Sequence, residues 1–454
     1  MQEKSSKKIV TRFPPSPTGL LHLGNTRTAL FNYLFAKRNG GDFIVRVEDT
    51  DKTRSKKEYE ENMLESLEWL GIKRDGELWH QSERTEIYQK YLKKLIADGY
   101  AYVSQEAEGE NKEVVRFKNP NSQITFNDLI RGDVTFDTSE LKDFVIARNI
   151  NKPLYHLAVV IDDHEIGVTH IIRGEDHVSN TPRQILIQDA IGAKRPIYAH
   201  LPLILAKDRS KLSKRKHGEA VSLRYYKEKG YLPEAVVNYL ALLGWNPGTD
   251  QEIFSTDELI ESFDLSKVQK SGAIFDEEKL KWVNKEHMKR LPEEVVLREI
   301  GAQIRASSRF KEKGWEIDES VLKRSYKSIF ERITVWQDVA QMTENGDLDY
   351  LFEKPQYEAT KLLWKNEKDL GTISRHIGEA ISLFKEISDD NWNAEDIKNA
   401  IWDYAEKEGR GNVLWPVRYA LSGKEKSPDP FTLSYILGRE ETILRLNEAL
   451  KKLL

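Results

Sequence analysis

The stretch Arg12-Phe-Pro-Pro-Ser16-Pro-Thr-Gly19-Leu-Leu-His22-Leu-Gly24-Asn25 decides the fold of this 454-residue chain. It joins a strand-like run, Ile9–Phe13, to apolar residues at helical spacing that continue to Ala36. The prolines stop the strand because proline fixes φ and has no N–H donor. Asn39-Gly-Gly41 ends the helix, and Phe43–Val47 reads as a second strand. Strand, helix and strand within about 40 residues predict a βαβ unit that opens a doubly wound nucleotide-binding domain.

The rest of the chain changes character twice. Residues from about 80 to 160 interrupt the α/β alternation with short β-rich pieces such as Glu113–Phe117, which indicates an insertion. The alternation then resumes, with a helix over Thr181–Ile191 and a strand-like run over Ile197–Leu205. From about residue 320 nearly every stretch has helical spacing, and Arg439–Leu453 is the plainest amphipathic helix.

Composition excludes several classes of protein. The chain has 70 Lys and Arg against 74 Asp and Glu, so it is not a uniformly basic nucleic-acid binder. It has no cysteine, which excludes disulfides, thiolate metal sites and cysteine nucleophiles. The sequence shows no secretory signal and no run of 18 apolar residues. We therefore expect no membrane span and a cytoplasmic location.

The junction between the first strand and the first helix predicts an anion site. Free N–H groups and the positive end of the helix face whatever lies above the strand. Gly24 permits a close approach of a phosphate or ribose to the backbone. His22 can donate a hydrogen bond to a phosphoryl oxygen. A bare His-x-Gly is more often a turn with a surface histidine, but fourteen residues of ordered context favour the functional reading.

A second cluster is the basic run Lys207-Asp-Arg-Ser-Lys211-Leu-Ser-Lys214-Arg215-Lys-His217. Such a run is usually a solvated surface, but this one follows an apolar strand and precedes a helix. Loops at that position border the nucleotide crevice of a doubly wound sheet. Lysine side chains there can close over a triphosphate and stabilise a leaving pyrophosphate.

These two clusters resemble the HIGH and KMSKS signatures of class I aminoacyl-tRNA synthetases, as His22-Leu-Gly-Asn25 and Lys211-Leu-Ser-Lys-Arg215. Further strings make the chain similar to the bacterial glutamyl-tRNA synthetase family, strongly over about residues 8–310 and weakly beyond: Arg46-Val-Glu-Asp-Thr-Asp51, Tyr155-His156, Val159-Val-Ile-Asp-Asp163 and Arg173-Gly-Glu-Asp-His177. The resemblance implies an α/β fold with a Rossmann-type class I catalytic domain, an inserted α+β acceptor-binding domain and an all-α anticodon-binding region.

The resemblance also implies a division into domains. The catalytic domain would comprise 1–80 and 161–225, with an acceptor-stem-binding insertion at 81–160. A helical stem-contact domain would follow at 226–319, and a helical anticodon-binding domain at 320–454. Tryptophans in that last region, Trp392, Trp402 and Trp415, could contact anticodon bases, but tryptophan at helical spacing is more often part of a core.

For glutamate, the resemblance implies a pocket in which cations hold two carboxylates and an acid holds the ammonium group. Arg12 and Arg173 would bind the carboxylates, Glu48 the ammonium group, and Ser16 and Tyr155 would add hydroxyl hydrogen bonds. The ordinary alternatives are that Arg173 pairs with Glu175, that Glu48 is a surface acid at a strand end, and that Tyr155 belongs to the core.

For ATP, the family pattern implies that His22, Lys211 and Lys214 are catalytic and act on the phosphates, with Mg²⁺ bridging phosphate oxygens. The implied ATP-binding residues are Pro15, Gly24, Asn25, Asp176, His177, Leu203, Ile204, Leu212 and Lys214. In the family's reaction the glutamate carboxylate attacks the α-phosphorus of ATP, and a terminal ribose hydroxyl of tRNA then attacks the adenylate. No covalent enzyme intermediate is needed.

The implied partners are tRNA(Glu), L-glutamate and ATP, with no membrane and a monomeric enzyme. Whether tRNA(Gln) is charged as well stays open. Some family members hold zinc through Cys and His in the insertion. The matching stretch here, Tyr100 to Lys118, has neither residue type, so we expect no zinc and no metal held by Cys or His.

Several alternatives remain at this point. Glutaminyl-tRNA synthetase shares both signatures, but the helical tail counts against it, since that family ends in β-barrels. The short glutamyl-queuosine enzymes lack an anticodon-binding tail. A nucleotidyltransferase would adenylylate a small molecule without tRNA, and a degenerate synthetase would bind tRNA without catalysis. Pyrophosphate exchange with glutamate, ATP and tRNA distinguishes an active enzyme from the degenerate synthetase.

Overall fold

A computed structural model describes residues 8–106, 113–213, 216, 218–365 and 367–453. The chain separates into two units, Met1–His287 and Met288–Leu454. Within the described ranges, every helix is too short or too polar to cross a membrane. Lys214, Arg215 and His217 lie outside the described residues.

The first unit contains all of the described strands. In chain order they are β1 (Val10–Phe13), β2 (Asp42–Val47), β3 (Trp79–His80), β4 (Ala101–Gln105), β5 (Glu113–Phe117), β6 (Gln123–Asp128), β7 (Gly132–Asp137), β8 (Phe144–Asn149), β9 (Lys152–Pro153), β10 (His170–Gly174), β11 (Ile197–Leu201), β12 (Ile204–Leu205) and β13 (Ala273–Ile274). Its described helices are α1 (Leu23–Arg38), α2 (Lys57–Trp69), α3 (Thr85–Ala97), α4 (Tyr155–Ile166), α5 (Thr181–Ile191), α6 (Leu223–Glu228), α7 (Pro233–Leu242), α8 (Thr256–Ser262) and α9 (Glu277–Met288).

Parallel strands form the centre of this unit, as the βαβ pattern predicts. β1, β2 and β3 lie side by side, and β10 pairs with β11 in the same manner. The N–H of Thr169, just before β10, donates to Val10 O (2.9 Å), which brings β1 next to β10. β1, β2 and β10 are buried along most of their length because helices such as α1 cover them. Their carboxyl ends therefore meet at one edge.

Helix α1 follows from local sequence chemistry. His22 has extended backbone and caps the helix, since its Nδ1 accepts a hydrogen bond from the Asn25 N–H (3.3 Å). Lys37 and Arg38 lie in the last turn, where they stabilise the negative end of the helix dipole. Asn39-Gly-Gly41 then reverses the chain into β2, with Gly40 at a φ of 61° that favours glycine.

The β-rich stretch forms two structures. β4, β5, β8 and β9 make an antiparallel sheet. The hairpin of β6 and β7 instead joins β11, where Tyr198 pairs with Asp128. Tyr88, Leu157, Ile185 and Tyr198 belong to one buried core that helices α3, α4 and α5 share with these strands.

The single strand expected over Ile197–Leu205 is wrong, because the chain leaves the sheet after Leu201. Pro202 has no N–H to donate, and the N–H of Leu203 donates to Glu175 Oε1 (2.8 Å) instead of to a strand. The chain then forms β12, which pairs with β13.

The second unit is helical in its described part, as the sequence predicts. Its helices are α10 (Glu293–Ala306), α11 (Ser308–Lys313), α12 (Glu319–Arg332), α13 (Gln337–Glu344), α14 (Leu370–Lys385), α15 (Ala394–Glu408), α16 (Arg410–Ser422), α17 (Pro430–Leu437) and α18 (Arg439–Leu453). Trp392, Trp402 and Trp415 are partly buried and pack against the core of this unit. The indole N–H of Trp415 donates to Lys361 O (3.1 Å), so this ring has a structural role.

Candidate active site

The carboxyl ends of β1, β2 and β10 bring three predicted side chains to one edge of the sheet. Arg12 lies near the end of β1, Glu48 directly follows β2, and Arg173 lies near the end of β10. The proline turn lies against this edge, because Pro15 O accepts a hydrogen bond from the Glu48 N–H (2.8 Å). Ser16 is exposed in the same turn. These residues therefore meet at the edge of the sheet where a doubly wound fold is expected to bind its ligand.

A buried ion cluster holds Arg12 and Glu48. The Arg12 side chain is 1 % exposed, and its Nε donates to Asp163 Oδ1 (3.2 Å). Arg46 donates to Asp163 Oδ1 (2.6 Å) through Nη1 and to Glu48 Oε1 (3.1 Å) through Nη2. Arg12 Nη1 is buried and has no hydrogen-bond partner among the described residues. A buried donor in that state is costly unless a ligand accepts from it.

Glu48 is 8 % exposed, so the reading of this residue as a surface acid is wrong. Burial raises the pKa of Glu48 to about 7, although the neighbouring Arg46 partly opposes this rise. The carboxyl group is thus set to change its protonation near neutral pH. A cationic ligand beside it would favour the ionised form.

Arg173 has neutral partners only, among the described residues. Its Nε donates to His200 Nε2 (3.1 Å), Nη1 to Gln184 Oε1 (2.7 Å) and Nη2 to Thr181 Oγ1 (2.8 Å). The residue is 5 % exposed, and burial lowers the pKa of its guanidinium. A buried guanidinium without a paired carboxylate is expensive, so an anionic ligand would stabilise this site.

Glu175 does not pair with Arg173. Its carboxylate binds Arg131 and accepts from the Leu203 N–H (2.8 Å), so the alternative of an Arg173–Glu175 pair is wrong.

Tyr155 begins helix α4 at the same edge. It is 37 % exposed, so it is not a core residue, and its hydroxyl lies 3.3 Å from His177 Nδ1. Burial lowers the pKa of His177 to about 4, which keeps its ring neutral. Neutral polar groups therefore lie on this side of the sheet edge.

The residues predicted to contact the phosphates of ATP belong to the start of α1 and to the basic loop. Because His22 Nδ1 accepts from Asn25, a neutral ring carries its proton on Nε2, where it can donate to an anion. Burial and the charge of Lys211 lower the pKa of His22. A Cβ at Gly24 would lie 3.2 Å from that ring, so a larger residue would crowd it.

The first part of the basic loop, 207–213, folds back on β12. The Leu212 N–H donates to Ile204 O (3.0 Å), and Lys211 Nζ donates to Asp176 Oδ2 (3.1 Å). A Cβ at Gly174 would lie 2.5 Å from Asp176 Oδ1, so glycine permits this conformation. The structure brings Lys211 and Asp176 together, whereas Lys214 lies outside the described residues.

Sequence reasoning did not assign five groups that organise the site. Arg46 and Asp163 lie within the motifs Arg46–Asp51 and Val159–Asp163. Each is a charged residue in or next to an otherwise buried run, and that pattern could have identified them. His200, Thr181 and Gln184 gave no local signal, because only the pairing of β10 with β11 and the start of α5 bring them to Arg173.

Comparison with known proteins places this architecture in a class. A family model for class I tRNA synthetases (E and Q), catalytic domain, matches residues 8–113 and 103–282, and an anticodon binding domain model matches 302–450. The fold is thus that of a class I aminoacyl-tRNA synthetase. Glutamate–tRNA ligases of Aquifex aeolicus and Carboxydothermus hydrogenoformans are 40 % and 39 % identical, each covering at least 96 % of this chain and 99 % of the relative. The chain belongs to the glutamate–tRNA ligase family.

A solved structure agrees. The glutamate tRNA ligase of Elizabethkingia meningosepticum, crystallised in complex with its amino acid, is 34 % identical and has a TM-score of 0.85. The alignment covers 99 % of this chain and 100 % of that one.

Proposed function

We propose that this chain is a glutamate–tRNA ligase, which activates L-glutamate with ATP and transfers it to the 3′ end of tRNA(Glu). The observation that carries the proposal is Arg173, a buried guanidinium with neutral partners at the same sheet edge as Glu48. A ligand with carboxylates and an ammonium group complements this arrangement. Family membership supports the same substrate.

In the proposed complex, the unpartnered Nη1 of Arg12 and the remaining N–H groups of Arg173 donate to the carboxylates of glutamate. Glu48, ionised, accepts from the ammonium group. The hydroxyls of Ser16 and Tyr155 add hydrogen bonds at the amino acid. The donors of Arg12 and Arg173 cost little reorganisation on binding, because buried hydrogen bonds already hold both guanidinium groups.

In the proposed first step, a glutamate α-carboxylate oxygen attacks the α-phosphorus of ATP, and the bond to pyrophosphate breaks. His22 Nε2–H donates to a phosphate oxygen while Lys211 and Lys214 stabilise the leaving pyrophosphate. Mg²⁺ enters with ATP as part of the substrate. Rate enhancement comes from positioning and charge stabilisation, without a covalent enzyme intermediate.

The other proposed ATP contacts are with residues around the start of α1, the end of β10 and the basic loop: Pro15, Gly24, Asn25, Asp176, His177, Leu203, Ile204 and Leu212.

In the second proposed step, a ribose hydroxyl of the terminal tRNA nucleotide attacks the acyl carbon, and AMP leaves.

We propose that 1–80 and 161–225 form the catalytic domain and that 81–160 binds the acceptor stem. We propose further that 226–319 contacts the stem and that 320–454 reads the anticodon. We further propose a cytoplasmic monomer without bound zinc. Charging assays on purified tRNA(Glu) and tRNA(Gln) decide whether both are substrates.

Pyrophosphate exchange tests the activity. The purified chain should exchange labelled pyrophosphate into ATP when glutamate, ATP and tRNA(Glu) are present, and should then charge the tRNA. Absence of exchange with tRNA present would contradict the proposal, as would exchange that does not depend on glutamate.

Arg173→Gln tests the carboxylate contact. Loss of a charge-assisted hydrogen bond should raise the KM for glutamate about 10- to 100-fold and change the KM for ATP little. Arg195→Gln is the matched control, because Arg195 is an exposed arginine paired with Asp189 (2.5 Å) on α5. Equal effects of Arg173→Gln on both substrates would argue against the contact.

A further inference from the structure

Arg173 is the first of a row of three buried polar side chains from three neighbouring strands. Asp128 ends β6, His200 lies in β11 and Arg173 lies in β10. Asp128 Oδ2 is 2.6 Å from His200 Nδ1, and Arg173 Nε donates to His200 Nε2 at 3.1 Å. Asp128 and His200 are almost completely buried, so the row has little access to solvent.

The Asp128 carboxylate is held as an acceptor. Its Oδ1 accepts from the backbone N–H groups of Ile130 (3.0 Å) and Arg131 (2.9 Å). Burial raises the pKa of Asp128, but hydrogen bonds from His200 and the Arg131 N–H outweigh it and lower the pKa. An ionised carboxylate can only accept, so the proton of this contact belongs to His200 Nδ1.

This contact fixes the tautomer of His200. Burial lowers the pKa of His200 although Asp128 opposes the shift, so the ring is neutral. A neutral ring with its proton on Nδ1 has a lone pair on Nε2, which accepts the Arg173 Nε–H. The Thr181 hydroxyl is also near Nε2 (3.3 Å), but it accepts from Arg173 Nη2 and can donate to His177 O (3.3 Å).

Three neutral acceptors therefore hold the guanidinium of Arg173, one on each nitrogen. Each Nη carries a second N–H that these contacts do not use. The plane of the guanidinium is set before a ligand arrives, while its charge remains uncompensated by a paired acid among the described residues. An orienting carboxylate in direct contact would have fixed the arginine but neutralised it.

We propose that His200, locked in one tautomer by Asp128, is a positioning residue that sets the Arg173 guanidinium for a carboxylate of glutamate. The proposal rests on the function proposed above for Arg173. His200 touches no substrate and acts only through the arginine. Its effect falls on glutamate binding, because its partner is Arg173, which is proposed to bind glutamate, and not one of the proposed ATP-binding residues.

Two substitutions at position 200 separate this role from packing. The carboxamide of His200→Gln reaches the place of Nε2 and can accept from Arg173, whereas that of His200→Asn reaches the place of Nδ1 and can serve only Asp128. We expect His200→Asn to raise the KM for glutamate about tenfold or more, with the KM for ATP nearly unchanged. His200→Gln should restore the KM for glutamate to within about threefold of the wild-type value.

Asp128→Asn tests the tautomer. An amide can donate to Nδ1, which would move the ring proton to Nε2 and direct it at the Arg173 Nε–H. This variant should raise the KM for glutamate as His200→Asn does. The effect should be absent in the His200→Gln background, because glutamine has no ring proton to move. A KM rise that persists in that background would overturn the tautomer argument.

A measurement on the unmodified protein keeps the proposal independent of variant folding. In ¹⁵N NMR spectra of the full-length protein with labelled histidine rings, the His200 ring should have a protonated Nδ1 and an unprotonated Nε2. The His200→Gln sample assigns the signal. A charged ring or the Nε2–H tautomer would overturn the proposal.

Failure of this proposal and failure of the proposed function look different. If the wild-type chain does not charge tRNA with glutamate, the function is wrong. If it does, and His200→Asn and His200→Gln give the same KM for glutamate, the positioning role of His200 is wrong.

Discussion

Glutamate should bind about tenfold more weakly at pH 6 than at pH 8, because the role proposed for Glu48, to hold the ammonium group, requires an ionised carboxylate. The buried Glu48 carboxyl has a pKa of about 7 in the free protein. Below that pKa the group holds a proton, and glutamate must displace the proton when it binds. The ammonium and carboxylate groups of free glutamate keep their charges throughout this interval.

The magnitude follows from the ionised fraction. With a pKa of about 7, Glu48 is about nine-tenths ionised at pH 8 and about one-tenth ionised at pH 6, a ratio of about ten. The nearest histidines do not add to this slope, because burial lowers the pKa of both His156 and His177 to about 4. The slope should therefore belong to a single group.

Isothermal titration calorimetry of the full chain measures this directly. Titrations in buffers of different ionisation enthalpy at pH 6 should show release of about one proton per glutamate bound. Glu48→Gln should bind more weakly and lose the pH dependence. Asp49→Asn is the matched control, since Asp49 is the adjacent acid and binds Ser82 (2.6 Å); it should keep the slope. A Kd that does not change with pH, or an unchanged slope in Glu48→Gln, would refute the reasoning.

Three further outcomes are expected. Folding raises the Glu48 pKa from 4.5 to about 7, so folding favours the protonated carboxyl group. The free energy of unfolding should therefore fall by about 3 kcal/mol as the pH rises from 4.5 to about 7. Urea unfolding of Glu48→Gln should lack this pH dependence. Asp163→Asn should cost about 3–5 kcal/mol in urea unfolding, because two buried arginines lose their shared carboxylate, whereas Asp51→Asn in an exposed pair should change little. Lys214→Ala should lower the rate of pyrophosphate exchange and leave the Kd for tRNA nearly unchanged; loss of tRNA binding with intact exchange would contradict its assigned role.

The sequence predicted the part of the fold that depends on local chemistry. The proline turn, the spacing of apolar residues up to Ala36 and Asn39-Gly-Gly41 are short-range signals, and β1, α1 and β2 lie where they indicate. The expected strand over Ile197–Leu205 failed because apolar residues continue across Pro202, although the missing N–H prevents a continuous ladder.

The candidate site divides in the same way. The family resemblance predicted that Arg12, Glu48 and Arg173 share one pocket. The structure brings them to one edge of the sheet, because the carboxyl ends of parallel strands meet there. Which acid pairs with which base was not predictable. Glu175 is only two residues from Arg173, yet it binds Arg131, and Arg173 Nε donates to His200 on another strand. Such pairings depend on strand register, which no local pattern encodes.

The hairpin of β6 and β7 limits how far this enzyme can be reduced in size. Residues 81–160 read as an insertion, and insertions invite truncation to a minimal catalytic fragment. Yet Asp128 at the end of β6 holds His200, and Gln81 and Arg84 donate to the buried Asp162 (2.8 and 2.7 Å) beside the pocket. A deletion of the whole stretch would remove these partners from behind the proposed amino-acid pocket. A shortened variant that stays active must therefore carry its deletion within the sheet of β4, β5, β8 and β9. It must retain the hairpin of β6 and β7, which supports the catalytic site.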